Sequence, residues 1–145
     1  MSAVFEDVFA RLQTDMIDVC LEYVNDMAEK VYIYVSCENG SVACDFFYRV
    51  DGKMIKKHRL AQETGRSYDT SVARQKACMK VLQADVMKLI TACKEFERKM
   101  PTEIKLIYSV SDGRTDADYS YDKYVSDSDT VTAYDRSDAW FRRLK

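Results

Sequence analysis

Apolar residues at Phe5, Val8, Phe9, Leu12, Met16, Val19, Cys20, Tyr23 and Met27 recur at steps of three and four, with Glu6, Asp7, Arg11, Asp15, Asp18 and Glu22 between them. This spacing lines the apolar side chains along one stripe of a helix and the charged ones opposite, so a long amphipathic helix opens the chain. From Lys30 the period becomes two: Val31, Ile33 and Val35 alternate with Tyr32 and Tyr34, and after Asn39-Gly40 the alternation resumes at Val42, Cys44, Phe46, Tyr48 and Val50. Asn and Gly tolerate the positive φ of a type I′ turn, so the two runs form a hairpin. A two-residue turn places Val42 opposite Cys37 and Cys44 opposite Val35, which leaves the two cysteines diagonal. Asp51-Gly52 turns the chain again, into a third strand near Met54 to Leu60.

Residues 61–70 are polar and contain Gly65, a loop from which Asp69, Thr70 or Ser71 can cap the next helix. That helix carries Val72, Gln75, Cys78, Met79, Leu82, Val86, Leu89, Cys93 and Phe96 on one face and must stop before Pro101. Ile104, Leu106, Tyr108 and Val110 then alternate along one strand, Ser111-Asp112-Gly113 turns the chain, and Thr115, Ala117, Tyr119 and Tyr121 alternate along another. A loop from about Lys123 to Asp135 leads to a short terminal helix holding Trp140, Phe141 and Leu144. The expected fold is α+β: helix, three-stranded antiparallel meander, helix, two strands, short C-terminal helix, with helices packed on one face of a mainly antiparallel sheet.

At 145 residues, with 47% hydrophobic and 32% charged side chains, the chain fits one domain over residues 1–145. No run approaches the 18 or so apolar residues of a membrane span, and no basic stretch leads into an apolar segment at the amino terminus. Cys20, Cys37, Cys44, Cys78 and Cys93 are odd in number and sit within apolar patterns, as reduced thiols used as small hydrophobes do. A cytoplasmic protein without a membrane partner is expected.

Few residues invite catalysis. The one histidine, His58, stands in a Lys-Lys-His-Arg run whose cations disfavour its charged form. No serine elbow, no Cys-x-x-Cys pair and no calcium loop is present, and Gly40, Gly52, Gly65 and Gly113 are isolated turn glycines rather than a phosphate cradle. The expectation is a non-enzyme with no catalytic residues, no cofactor and no metal.

Net charge is only -2, but it is segregated. Basic residues dominate from Arg49 to Lys80, and Lys53, Lys56, Lys57 and Arg59 beside Phe47 and Tyr48 could form a nucleic-acid surface. A charged strand is also a common guard against edge-to-edge sheet pairing, and the sequence pI of about 5.5 is low for a nucleic-acid binder. Asp112, Asp116, Asp118, Asp122, Asp127, Asp129, Asp135 and Asp138 face only Arg114, Lys123 and Arg136. Period-two geometry sends Asp116, Asp118 and Asp122 to one side of their strand and Tyr119 and Tyr121 to the other. Aspartate is a poor strand former and like charges at alternate positions repel, so local propensity does not account for this face. It reads either as a solvated outer face or as an anionic patch that imitates a phosphate backbone and steers a basic partner.

The run Glu29-Lys30-Val31-Tyr32-Ile33-Tyr34, followed by Asn39-Gly40, Cys44-Asp45-Phe46-Phe47-Tyr48 and Lys56-Lys57-His58, resembles the YezG-like family of bacterial immunity proteins. Pro101-Thr102-Glu103-Ile104-Lys105-Leu106, Asp118-Tyr119-Ser120-Tyr121-Asp122 and Trp140 extend the likeness over most of the chain. The resemblance implies a small intracellular protein that protects its producer by binding a secreted polymorphic toxin, commonly a nuclease, and occluding it. It transfers no contact positions, so the partner-binding set is argued from this sequence: Asp112, Asp116, Asp118, Tyr119, Tyr121, Asp122, Tyr124, Asp127 and Asp129. Two other classes stay open, a nucleic-acid-binding module on the basic strand and a structural subunit whose exposed tyrosines form a homodimer or larger homo-oligomer.

Overall fold

A computed structural model describes residues 4–126 and 128–145. The elements run α1 (Phe5–Tyr23), β1 (Lys30–Glu38), β2 (Ser41–Val50), β3 (Lys53–Lys56), a 3-10 turn (Lys57–Arg59), α2 (Leu60–Thr64), α3 (Val72–Glu95), β4 (Glu103–Ser109), β5 (Thr115–Ser120) and α4 (Ala133–Leu144). The strands form one open antiparallel sheet in the order β3-β2-β1-β4-β5. This is the expected α+β fold.

The hairpin register follows from its turn. Val35 lies opposite Cys44 and Cys37 opposite Val42, as a two-residue turn requires, with Asn39 at φ 51° and Gly40 at φ 77°. All five cysteines are free. Burial pushes the Cys44 thiol up to about 12 and also raises Cys20, Cys37 and Cys93, so these groups remain protonated and pack as small apolar side chains.

Alternation sorts β1 and β2 between two cores. Val31, Ile33, Val35, Cys44, Phe46 and Tyr48 meet α1 and α3, in one cluster with Met16, Cys20, Leu82, Val86 and Leu89. Tyr32, Tyr34 and Phe47 point the other way and pack against Trp140 and Phe141 of α4. The two long helices thus share one face, and the short terminal helix covers part of the opposite one. Buried phenols find backbone acceptors: Tyr48 Oη donates to Cys20 O at 2.6 Å, and Tyr68 Oη to Met27 O at 2.6 Å. No helix among the described residues is long and apolar enough to cross a membrane.

Besides β5, which ends at Ser120 rather than Tyr121, three boundaries in the first half of the chain differ from the sequence expectation. The first helix stops at Tyr23 rather than reaching Met27, because Asn25 (φ 52°) and Asp26 (φ 61°) enter the left-handed region and Asp26 N closes back on Leu21 O at 2.9 Å. The third strand ends at Lys56, not Leu60: the chain coils through Lys57–Arg59, which carries His58 off the strand and drops Leu60 fully into the core. Residues 60–64, expected mostly as loop, form a helical turn closed by Gly65 in the left-handed conformation. Ser71 caps α3 by accepting from Arg74 N at 3.3 Å, and Asp69 accepts from Ser71 N instead.

The interface between α1 and α3 holds one unsatisfied carboxyl. Asp85 is 2% exposed, and its Oδ2 has no hydrogen-bond partner among the described residues. Burial first, and then the neighbouring Asp15, raise the Asp85 carboxyl to about 7, against a smaller opposing effect of Lys88; Arg11 and Glu95 line the same groove.

Two outcomes follow for stability. Truncation of Leu82, fully buried between α3 and the sheet, to Ala should cost about 2–5 kcal/mol, read as a shift of the denaturation midpoint. A folded-state value raised above the ordinary Asp range means that Asp85 stabilises the fold at low pH and that this contribution is lost as pH rises from about 4 to 7. Asp85→Asn should therefore flatten the stability profile across that window and, at pH 8, raise stability by on the order of 1 kcal/mol in denaturant titrations.

Candidate functional site

β5 is the outer strand on one side of the sheet, and every residue from Thr115 to Tyr119 is exposed. Its register on β4 pairs Tyr108 with Thr115, Leu106 with Ala117 and Ile104 with Tyr119 on the α1 side, and Ile107 with Asp116, Lys105 with Asp118 and Glu103 with Ser120 on the α4 side. Asp116 and Asp118 therefore do share a face. Asp116 is paired with Arg114 at 3.2 Å, an exposed contact that holds little energy. Asp118 forms no ion pair among the described residues.

Asp122 leaves this row, because the strand ends at Ser120. Thr102 N and Oγ1 both reach Ser120 O, at 2.8 and 3.1 Å, and Thr102 Oγ1 also reaches Asp122 O at 2.6 Å, so the chain is drawn back toward β4. Asp112 sits in the β4–β5 turn, where its Oδ1 accepts from Arg114 N at 3.0 Å. Asp129 is exposed in the loop before α4, and Asp127 lies outside the described residues. Of the expected set, Asp116 and Asp118 form a single face with Asp112 and Asp122 at its two ends.

The tyrosines occupy different surroundings. Tyr119 faces α1, where it accepts from Gln13 Nε2 at 2.6 Å and its ring meets Phe9 edge-on at 5.9 Å. Tyr121 lies just beyond the strand, 46% exposed, with Lys99 Nζ 5.6 Å from its ring centre. Together with Phe5, Phe9, Ala10 and Pro101 they wall an open groove of about 500 Å³. Arg98, held by Glu6 at 3.3 Å and lying over Phe5, and Lys99 rim it. β5 thus separates an acidic face from an apolar groove.

Tyr124 is tied down rather than presented. Its ring carries the Arg136 guanidinium at 3.8 Å, and its amide donates to Glu38 Oε2 at 3.1 Å. Glu38, 6% exposed, also accepts from Val125 N, Ser126 N and Ser126 Oγ. Burial works to raise this carboxyl, but the four donors outweigh it and hold Glu38 below the usual range. A second buried carboxylate, Glu103, accepts from Tyr34 Oη at 2.5 Å and from Arg136 Nε and an Arg136 terminal nitrogen at 3.0 Å each. It too lies below its ordinary value, with Arg136, Tyr34 and Lys105 overcoming burial. These two glutamates fix the loop and the helix that follow β5, and sequence reasoning missed both. Each sits at a strand end where a surface charge is the default, and its hydrogen-bond partners lie more than thirty residues away.

Each of the four cations proposed for the basic surface lies beside a carboxylate, with Glu63 shared by two of them. Lys53 and Arg59 reach Glu63 at 3.1 and 2.9 Å, Lys57 reaches Asp45 at 2.6 Å, and Lys56 is paired with Asp138. Burial first, and then Lys57, Lys56 and Arg59, lower His58 below the ordinary histidine value.

Compared with known proteins, the chain matches no family model and no curated protein.

Replacing Glu38 by Gln should free the 124–126 segment. With a folded-state value depressed below about 4.5, Glu38 stabilises the fold above that pH, and the contribution disappears as pH falls through the folded value. Glu38→Gln should cost about 1–3 kcal/mol at pH 7 and speed amide exchange at Tyr124, Val125 and Ser126. In the unsubstituted protein the same amides should loosen on acidification.

Proposed function

We propose that this chain is an immunity-type inhibitor that binds a secreted nuclease toxin and blocks the positively charged cleft through which the toxin takes its nucleic-acid substrate. The observation that carries the reading is an exposed sheet edge with Asp116 and Asp118 on one face and Tyr119 on the other, continued by Tyr121. Carboxylates steer a basic partner and add specificity, while aromatic rings supply buried area at little entropic cost. The YezG-like strand pattern points the same way.

In this reading the protein works by occlusion, without catalysis, cofactor or metal, in the cytoplasm of the cell it protects. A nucleic-acid-binding role on the basic stretch is the weaker alternative, because Lys53, Lys56, Lys57 and Arg59 each already face a carboxylate. Phosphate contacts would have to displace those partners.

The test is stopped-flow association with the cognate toxin, at low and moderate salt, paired with protection of cells. Asp116→Asn, Asp118→Asn and Asp122→Asn combined should slow association by about tenfold at low salt and flatten its salt dependence. Any carboxylate desolvated at the interface contributes a loss of about 2–5 kcal/mol. Stability should change by less than about 1 kcal/mol, since these groups are exposed. Full protection with an unchanged salt slope would move the toxin surface elsewhere.

A further inference from the structure

β5 is hydrogen-bonded on one side only. Ser109 N donates to Arg114 O at 2.9 Å, one step beyond the Tyr108–Thr115 pair at which the β4–β5 register ends. Bonded and non-bonded pairs alternate in an antiparallel ladder. Asp116, Asp118 and Ser120 therefore direct their amides and carbonyls at β4, whereas those of Thr115, Ala117 and Tyr119 point outward. The free backbone groups belong to the residues whose side chains lie on the α1 side of the strand, and Tyr119, the last of them, walls the apolar groove.

We propose that this edge accepts an extended segment of the partner protein as a sixth strand, and that the segment alternates apolar residues with lysine or arginine. The inference rests on the reading of β5 as the binding surface and adds how the partner is held. An added strand sends successive side chains to opposite faces. One set enters the groove of about 500 Å³ between α1 and β5, walled by Phe5, Phe9, Tyr119 and Tyr121. The other set meets Asp116 and Asp118, the latter without an ion pair among the described residues. Lys99 and the Arg98–Glu6 pair leave the groove rim net positive, which disfavours cations on that side and supports the alternation. Backbone bonds supply affinity and the two faces supply selection. A second copy of this chain is the wrong occupant: two β5 strands side by side would set Asp116 and Asp118 against the same carboxylates of the other copy.

The probe is a blocked peptide of about eight residues alternating lysine with valine, added to the full chain while amide hydrogen exchange is followed. Exchange at Thr115, Ala117 and Tyr119 should slow by about tenfold or more at saturation, and the matching peptide with glutamate for lysine should produce no slowing. Ala117→Pro should abolish the effect at Thr115 and Tyr119, since proline at an outward-facing position blocks an incoming strand without removing a bond to β4. Peptides N-methylated at alternate amides give a second route that leaves the protein unaltered: methylation on the side facing β5 should abolish protection, and methylation on the far side should not. Unchanged exchange at all three amides with millimolar lysine peptide, or equal protection by the glutamate peptide, would overturn the proposal. The toxin separates the two readings. If it loses affinity for the Asn variant yet leaves these amides unprotected, strand addition is overturned and the acidic-face reading stands. If the lysine peptide protects them while the toxin neither protects them nor responds to the Asn substitutions, strand addition stands and the toxin reading falls.

Discussion

The central strand β1 is buried on both faces, from Val31 through Ser36, and the rest of the structure answers that requirement. A strand of this kind cannot alternate apolar with solvated residues; both sets of side chains need a cover. Val31, Ile33 and Val35 obtain theirs from α1 and α3, and Tyr32 and Tyr34 from Trp140 of α4. The two covers are unequal. Two long helices span one side, while the twelve residues of α4 shield the other. β4, next in the sheet, still profits from both, but β5 lies beyond the reach of α4, and its strand is open to solvent. The exposed edge is thus a consequence of how far the second cover extends.

Buried carboxyls mark the places where this arrangement is held and where it is under tension. Glu38 and Glu103 are encircled by donors, and each joins the sheet to the segment that follows β5. Their depressed values signify that the folded state favours the carboxylate, so acid weakens these joints. Asp85 has the opposite sign, with an unpartnered oxygen between two helices. Acid should therefore relieve the α1–α3 interface while it loosens the 124–126 loop and α4. The two sites respond to pH in contrary directions because one buries a carboxylate among donors and the other buries a carboxyl beside its own kind.

Much of the fold was legible because its signals are local. The Asn39-Gly40 turn determines the pairing of Val35 with Cys44, and the period-two run around Asp118 puts Asp116 with it and Tyr119 opposite. What escaped were effects decided by distant residues. Lys57 is pulled out of a strand by Asp45 and by Tyr23, whose hydroxyl donates to its carbonyl at 3.1 Å. Nothing in the neighbourhood of Glu38 announces four donors from 124–126, and no periodicity places β4 against β1 rather than against β3. The groove beside Tyr119 needed the position of α1, which Gln13 and Phe9 fix by contacts more than a hundred residues apart in sequence.

An open edge is ordinarily a hazard, and proteins commonly guard it with lysine or proline. Here the guard is aspartate: among the described residues Asp118 has no ion pair, and Asp116 is held by an exposed arginine. Carboxylates protect as well as ammonium groups against a second copy of the same strand, since like charges repel whatever their sign. They differ in what they admit. A lysine edge invites an acidic strand, whereas this edge turns away its own copy and acidic segments while favouring basic ones, so one pair of side chains supplies both the rejection and the selection that a specific interface needs. The opposite edge shows the contrast: β3 carries lysines, but Lys53 and Lys56 are already matched with Glu63 and Asp138. Both lysines of β3 thus lie beside carboxylates of the fold, whereas Asp118 of β5 has no ion pair among the described residues.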